Sequence, residues 1–380
     1  MSTLLQEMSA KALQLQIPLS VQLDLTYRCN EQCVHCYLDH EDHGEMTTTE
    51  IKKLLDELAR AGVLFLTMSG GEILLRKDFF EILEHARALL FCVKLKTNAV
   101  LIRERQAERI RSLAVQSVQI SIYSHRPEVH DSITKVPGSL KRSLEAIRLL
   151  KAHGLKVTIA DVLMLQNVQD YPGVRALAAE LGVVFTIDPT ITPKMDGDRS
   201  ILNLNVDPTA LRKVFQDESL VGSVDEFCGP PKEPDEDDLS GLPCSAGHTA
   251  CYVSPYGDVF PCVQFPLPSG NVRHNSFLEI WRHSEQLKEV RRITLRELPS
   301  CSQCVHGVSC TRCPGLAYME GNMRGPSSQD CEKSFVRTGI PSKNLLSRTR
   351  SAAGLVQIQV VSVAPIVSSC NPAAADQIGS

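Results

Sequence analysis

The sequence predicts an α/β fold: a partial (β/α)6 TIM-like barrel followed by a small cysteine-rich domain. Three observations carry that reading. Six short β-prone runs alternate with amphipathic helical patterns between about residues 18 and 190, the helical patterns carry start and stop signals, and the cysteines gather in two places. The β-prone runs are SVQLDL (20–25), VLFLTM (63–68), VKLKT (93–97), SVQISIY (117–123), KVTIADVLM (156–164) and VVFTID (183–188). Strands that alternate with helices build a parallel sheet, because each parallel pair needs a crossover connection. The run TTTEIKKLLDELARAG opens on Thr capping candidates with a Glu three positions on, and it closes at Gly62. LKRSLEAIRLLKAHG closes at Gly154 in the same way. Six units fall short of a closed eight-unit barrel, and in such folds chemistry sits at the C-terminal ends of the strands.

Length and composition bound the rest. At 380 residues, one large domain plus a smaller one is expected. Hydrophobic residues at 43% and charged residues at 22% exclude a mainly disordered or fibrous chain. The net charge is 40 − 44 = −4, so no basic surplus points to nucleic acid or an anionic membrane. No stretch approaches the ~20 apolar residues of a membrane helix. The opening MSTLLQEMSAKALQLQ lacks the basic and apolar regions of a secretory signal, so a cytoplasmic protein is expected. The reading divides the chain into an N-terminal segment (1–17), the barrel (18–200), a linker (201–243), the cysteine-rich domain (244–340) and a tail (341–380). The acidic, proline-containing stretch 230–238 reads as a solvated loop. The tail holds a β-prone run, LVQIQVVSVAPIV.

The cysteines are the anomaly. Fourteen in 380 residues are too few for a disulfide scaffold, and in a reducing compartment clustered thiols point to metal or redox chemistry. Cys29, Cys33 and Cys36 form C-x3-C-x2-C directly after the first β-prone run, on the loop at that strand's C-terminal end. Three thiolates leave one iron of a 4Fe–4S cluster open to a non-protein ligand, since such clusters take four. A structural zinc site, completed by His35 or His40, is the alternative.

The C-x3-C-x2-C loop after the first strand of a βα-barrel resembles that of the radical S-adenosylmethionine (SAM) superfamily, over about residues 20–200. Ser69-Gly70-Gly71-Glu72 resembles the family's Gly-Gly-Glu motif, with Ile73 where Pro is frequent. Thr97-Asn98-Ala99 resembles its Thr-Asn-Gly, with Ala in place of Gly. The resemblance implies that Gly70, Gly71, Glu72, Thr97 and Asn98 shape the SAM pocket, Glu72 helping to hold the methionine amine. It implies that Ser121 and Arg142 bind the SAM carboxylate, as in members related to the anaerobic sulfatase-maturing enzymes. An electron from the cluster would cleave SAM to methionine and a 5′-deoxyadenosyl radical, which takes hydrogen from an unactivated C–H bond.

The second region runs Cys244, Cys251, Gly257 and Cys262, then Cys301-x2-Cys304-x5-Cys310-x2-Cys313, then Cys331. It resembles the SPASM domain of peptide-modifying radical SAM enzymes, with one departure: the Cys310–Cys313 spacing is x2 where the family has x3. The resemblance implies two auxiliary 4Fe–4S clusters, one on Cys244, Cys251, Cys262 and Cys313, the other on Cys301, Cys304, Cys310 and Cys331, hence three clusters in all. Zinc is again the alternative, although a gap of five residues is short for a zinc ribbon. Cys228 has no assigned role, Cys92 reads as a core thiol, and Cys370 lies in the tail. His125, His130 and His153 read as surface or turn residues. Tyr123 and Asp161 point to the barrel mouth.

The expectation is a radical SAM/SPASM maturase acting on a peptide or protein side chain, a ribosomally made precursor peptide above all. Pyrroloquinoline-quinone, mycofactocin and sulfatase-maturing enzymes are the analogues. A tetrapyrrole (haem-type) maturase is the alternative within enzymes; a non-catalytic iron–sulfur electron carrier and a zinc-dependent binding module are the alternatives outside them. The family implies flavodoxin or ferredoxin as electron donor. Seventeen N-terminal residues are too few for a peptide-recognition domain, so a separate recognition protein or the barrel surface is expected to bind the precursor.

Overall fold

The computed structural model describes residues 4–232 and 234–342. The tail and Cys370 lie outside the described residues, apart from residues 341 and 342. Six strands, β1 (Ser20–Thr26), β2 (Phe65–Gly70), β3 (Cys92–Thr97), β4 (Ser117–Ser121), β5 (Val157–Val162) and β6 (Val184–Asp188), run parallel in consecutive order. All six fall on the expected β-prone runs. Helices Thr48–Arg60, Phe79–Ala88, Glu104–Ser112, Ser139–Ala152 and Tyr171–Leu181 fill the crossovers.

Two faces follow from the period-2 alternation of strand side chains. Val21, Leu23, Leu66, Met68, Val93, Leu95, Val118 and Ile120 are buried beneath the helices. The other face is polar, and the register lines up Gln22, Thr67, Lys94 and Ser117 across it. Thr47 caps helix Thr48–Arg60 in a capping box with Glu50, as the sequence predicts.

The sheet does not stop at β1. Strand β7 (Ala250–Val253) pairs parallel with β1, Val21 opposite Cys251, and β8 (Asp258–Phe260) and β9 (Gly270–Asn271) add antiparallel strands beyond it. The result is one nine-stranded sheet, ordered β6-β5-β4-β3-β2-β1-β7-β8-β9. The cysteine-rich region is therefore built onto the barrel. Cys251, Val253, Val259, Phe277, Ile280, Trp281 and Leu287 share the core that holds the barrel strands. Trp281, stacked on Phe277, donates from Nε1 to the Gln16 carbonyl at 2.6 Å and carries the Arg291 guanidinium over its ring. The single helical pattern FLEIWRHSEQLKEVRR forms two helices, Phe277–His283 and Glu285–Arg291. Ser284 closes the first, and its side chain caps the second.

Within 201–243, the stretch read as a linker, helix Pro208–Phe215 buries Ala210, Leu211, Val214 and Phe215 against Leu163, Val168 and Val336. The acidic stretch near 230–238 is largely exposed. Cys228 donates to the Phe215 carbonyl at 3.4 Å. Cys92, expected in the core, is half-buried at the start of β3. No helix among the described residues is long and apolar enough to cross a membrane.

Trp281→Ala removes the largest fully buried side chain from the shared core. It should cost about 3–5 kcal/mol in denaturant unfolding, and barrel and cysteine-rich region should still melt in one transition. A barrel signal surviving a separate early transition would contradict the shared core.

Candidate active site

The strand ends converge on a cavity of about 450 Å³, within the range of small-molecule sites. Cys29, Cys33 and Cys36 line it with Ser69, Gly70, Gly71, Thr97, Asn98 and Ser121. The three-cysteine loop is held there by backbone geometry. Gly71 N–H donates to the Thr26 carbonyl at 2.8 Å and Glu72 N–H to the Arg28 carbonyl at 2.9 Å. A Cβ at Gly70 would stand 2.2 Å from the Thr26 oxygen, and one at Gly71 would stand 2.3 Å from the Arg28 oxygen. Only glycine fits at either position. Glu45 braces the loop's stem by accepting from Thr26 Oγ1 at 2.6 Å and from Tyr27 N–H at 2.9 Å. On its far side, Gln32 and Val34 N–H donate to the carbonyls of Thr134 and Ile133.

Glu72 is fully buried and is not part of the cavity wall. Its carboxylate accepts from Leu74 N–H at 3.0 Å, from Thr97 Oγ1 at 2.8 and 2.7 Å, and from Asn98 N–H at 2.9 Å. It thus sews the end of β2 to the end of β3. Ala99 keeps a left-handed backbone, with φ of 63°, where the family has Gly. Arg142 also stands outside the wall. It donates to the Pro137 carbonyl at 3.2 Å, its Nε is buried without a partner, and its charge draws on the Glu31 carboxyl of the cysteine loop. Neighbouring Ser143 holds the Asn98 carbonyl at 2.7 Å.

Sequence reading missed Glu31, gave His35 only as a candidate zinc ligand and set His130 at the surface. Glu31 is buried beside the thiols with Oε1 unpartnered, and burial pushes its carboxyl up to about 7. His35 is half-buried, with Nδ1 buried and unpartnered, set edge-on to Tyr123 at 4.8 Å, and desolvation pulls it down to about 4. His130, expected at the surface, is buried and accepts from Tyr123 N–H at 3.1 Å. His125 lies against Gly173, and His153 meets Glu104 at 2.6 Å. Asp131 caps helix Ser139–Ala152 by accepting from Ser139 Oγ and Leu140 N–H. RPEVHDSIT thereby positions both the cysteine loop and the helix that carries Arg142.

Asp161 and Tyr123 do reach the cavity. Asp161 accepts from Asn167 Nδ2 at 3.0 Å, its Oδ2 is buried without a partner, and burial together with nearby Asp170 raises it well above the usual carboxylate range. Beneath the cavity, Asp24 accepts from Gln22 Nε2 at 3.1 Å and from Tyr252 Oη at 3.0 Å, and Tyr252 meets Tyr27 at 2.6 Å. The wall closes with Thr190, Ile191 and Thr192, and with Val263 and Gln264 next to Cys262.

Eight further thiols are those expected to hold auxiliary clusters. Cys301, Cys304, Cys310 and Cys331 line one cavity. Cys262 raises the thiols of Cys244, Cys251 and Cys313 through their mutual charge, on top of the larger effect of burial. Packed thiols that resist ionising individually are stabilised as thiolates by a cationic metal centre, which inverts that penalty. Among the described residues no group of three His, Cys, Asp or Glu side chains is gathered closely enough to hold a metal ion.

Burial pushes the Asp24 carboxyl up to about 6. Its folded-state value lies above the unfolded one, so it erodes stability as pH rises from about 4 to about 6. Asp24→Asn should therefore gain on the wild type between pH 4 and pH 7, by on the order of 2–3 kcal/mol, in paired unfolding curves. A pH-independent difference would count against it.

Known proteins agree with this geometry. Residues 23–178 match the radical SAM superfamily, and residues 244–305 match an iron–sulfur cluster-binding domain, SPASM. An AdoMet-dependent heme synthase of Methanosarcina barkeri is 30% identical over 79% of this chain and 92% of its own length. The mycofactocin maturase MftC of Mycobacterium tuberculosis is 29% identical over 89% and 88%. Streptococcus suis SuiB, solved with its precursor peptide SuiA, has the same fold at a TM-score of 0.68 and 18% identity, covering 86% of this chain and 79% of that one. With a three-cysteine loop on a strand-end cavity and these matches, the chain belongs to the radical SAM superfamily and is an iron–sulfur enzyme of its SPASM-bearing branch.

Proposed function

We propose that this enzyme is a maturase of peptide or protein side chains, acting on a ribosomally made precursor peptide. One observation carries the reading. The cavity adjoins a groove at β6, the edge strand of the sheet, with Thr186, Ile187 and Thr190 lining both. Phe185, Phe215 and Phe227 line that groove, with Lys333 and Arg337 among them. Edge backbone beside an apolar groove suits an extended polypeptide that delivers one side chain inward. Likeness to a mycofactocin maturase and the fold shared with SuiB support it.

Cys29, Cys33 and Cys36 would hold the SAM-binding 4Fe–4S cluster, with Gly70, Gly71, Thr97, Asn98 and Ser121 around the SAM. Glu72 would act through Thr97 and Asn98, and Arg142 would supply a cation. Given one electron from that cluster, bound SAM would supply methionine and a 5′-deoxyadenosyl radical able to take a hydrogen atom from substrate. Asp161 offers an uncommitted carboxyl oxygen at the strand ends for holding the substrate or moving a proton. Two auxiliary clusters on the remaining thiol sets, and a flavodoxin or ferredoxin as donor, complete the reading.

The heme synthase relative supports a second reading, a tetrapyrrole substrate. Propionates need cations, yet the wall carries Glu31, Asp161 and Asp188 against Lys96, which favours the peptide.

Anaerobic reconstitution should load about 12 iron per chain, falling to about 8 when Cys29, Cys33 and Cys36 are all Ala, with loss of 5′-deoxyadenosine formation. Peptides encoded beside its gene should stimulate that formation in the wild type. Stimulation by a propionate-bearing tetrapyrrole and by no peptide would overturn the peptide reading.

A further inference from the structure

The shortened Cys310–Cys313 spacing has a specific occupant. Thr311 and Arg312 fill it, and Arg312 is only 8% exposed. Its side chain lines the cavity enclosed by Cys301, Cys304, Cys310 and Cys331. Arg312 Nε donates to the Gly325 carbonyl at 2.9 Å, and NH2 donates to the carbonyls of Gly325, at 2.7 Å, and Met323. These acceptors are neutral. They fix the plane of the guanidinium without offsetting its charge. NH1 is buried with no partner. A buried cation with an idle donor is costly unless an anionic acceptor meets it.

The chain places this charge beside both thiol sets. Arg312 follows Cys310 of one set and precedes Cys313 of the other, so the backbone itself seats it between them. Thiolate-ligated iron–sulfur clusters are net anionic, and their potentials rise with neighbouring positive charge and with hydrogen bonds to their sulfurs.

We infer that Arg312 is a shared electrostatic clamp between the two auxiliary clusters, its free NH1 donating to cluster sulfur and its charge holding both clusters at a higher reduction potential. One-electron reduction adds negative charge to a cluster, and a fixed buried cation stabilises the reduced state more than the oxidised one. The pair is thereby tuned together while the cluster on Cys29, Cys33 and Cys36 is left alone. Arg312 is a positioning and tuning residue that touches no substrate. The inference rests on the auxiliary-cluster assignment above.

The test is a potentiometric titration of the reconstituted full chain, followed by electron paramagnetic resonance, for wild type, Arg312→Gln and Arg312→Lys. Lowered auxiliary midpoints in Arg312→Gln, partial return in Arg312→Lys and an unmoved SAM-cluster midpoint are expected. Auxiliary iron lost from Arg312→Gln but kept by Arg312→Lys supports the clamp as well, since charge then decides retention. Unmoved auxiliary midpoints in iron-replete Arg312→Gln, an equal shift of all three clusters, or equal loss of iron from both variants overturns it. Zinc, or no auxiliary iron, in the wild type overturns the cluster assignment and the clamp with it, whereas the other failures strike the clamp alone.

Discussion

The close approach of two backbones at the ends of β1 and β2 governs this structure. Gly70 and Gly71 lie directly beneath the carbonyls of Thr26, Tyr27 and Arg28, at a distance that leaves no room for a side chain. Two hydrogen bonds across that contact fix where β1 ends, and therefore where the three-cysteine loop starts. Every other brace of the loop acts on a stem already placed: the Glu45 carboxylate, the Arg76 guanidinium on the carbonyls of Leu25 and Met46, and the carbonyls of Ile133 and Thr134. Glu72 carries the same constraint one strand further by spending its carboxylate on β3.

Much of this was legible in the sequence, and what was not has physical reasons. Six strands announce themselves because a half-buried sheet enforces alternation on runs of five to seven residues. Strand β7 is four residues long and β9 is two, too short to impose a period, so the continuity of the sheet through β7 could not be read. The thiol sets were legible through spacing. The surroundings of Glu31, His35 and His130 were not, because packing between distant segments sets them. His130 is the clearest case: it lies on helix Pro127–Thr134 and serves the backbone of Tyr123. The displacement of Glu72 and Arg142 from the cavity wall has the same origin, since a motif states which residues are present but not which neighbour claims their polar atoms.

The cavity is bordered by acids that the fold keeps from ionising freely. Asp24, Glu31 and Asp161 all sit where burial disfavours their charge. Their partners are mostly neutral: Gln22, Tyr252 and Asn167. Tyr252 comes from β7, so the C-terminal part of the chain finishes the polar interior of the barrel as well as its edge. Gln264 reaches across to Thr192 at 2.8 Å and closes the same wall from the other side. Such a low-dielectric, preorganised interior strengthens each electrostatic contact made within it.

The pairing of β7 with β1 also dictates an order of events during synthesis. Val21 must wait for Cys251, some 230 residues later. Until that segment leaves the ribosome, β1 has a partner on one side only, and its other edge presents unpaired amides and carbonyls beside an unfinished apolar core. Exposed strand edges of this kind recruit other chains. The nascent enzyme is thus vulnerable for most of its translation, and the step that ends this exposure is also the one that brings Cys251 and Cys262 up to the barrel. Completion of the edge and delivery of the second thiol region are one folding event.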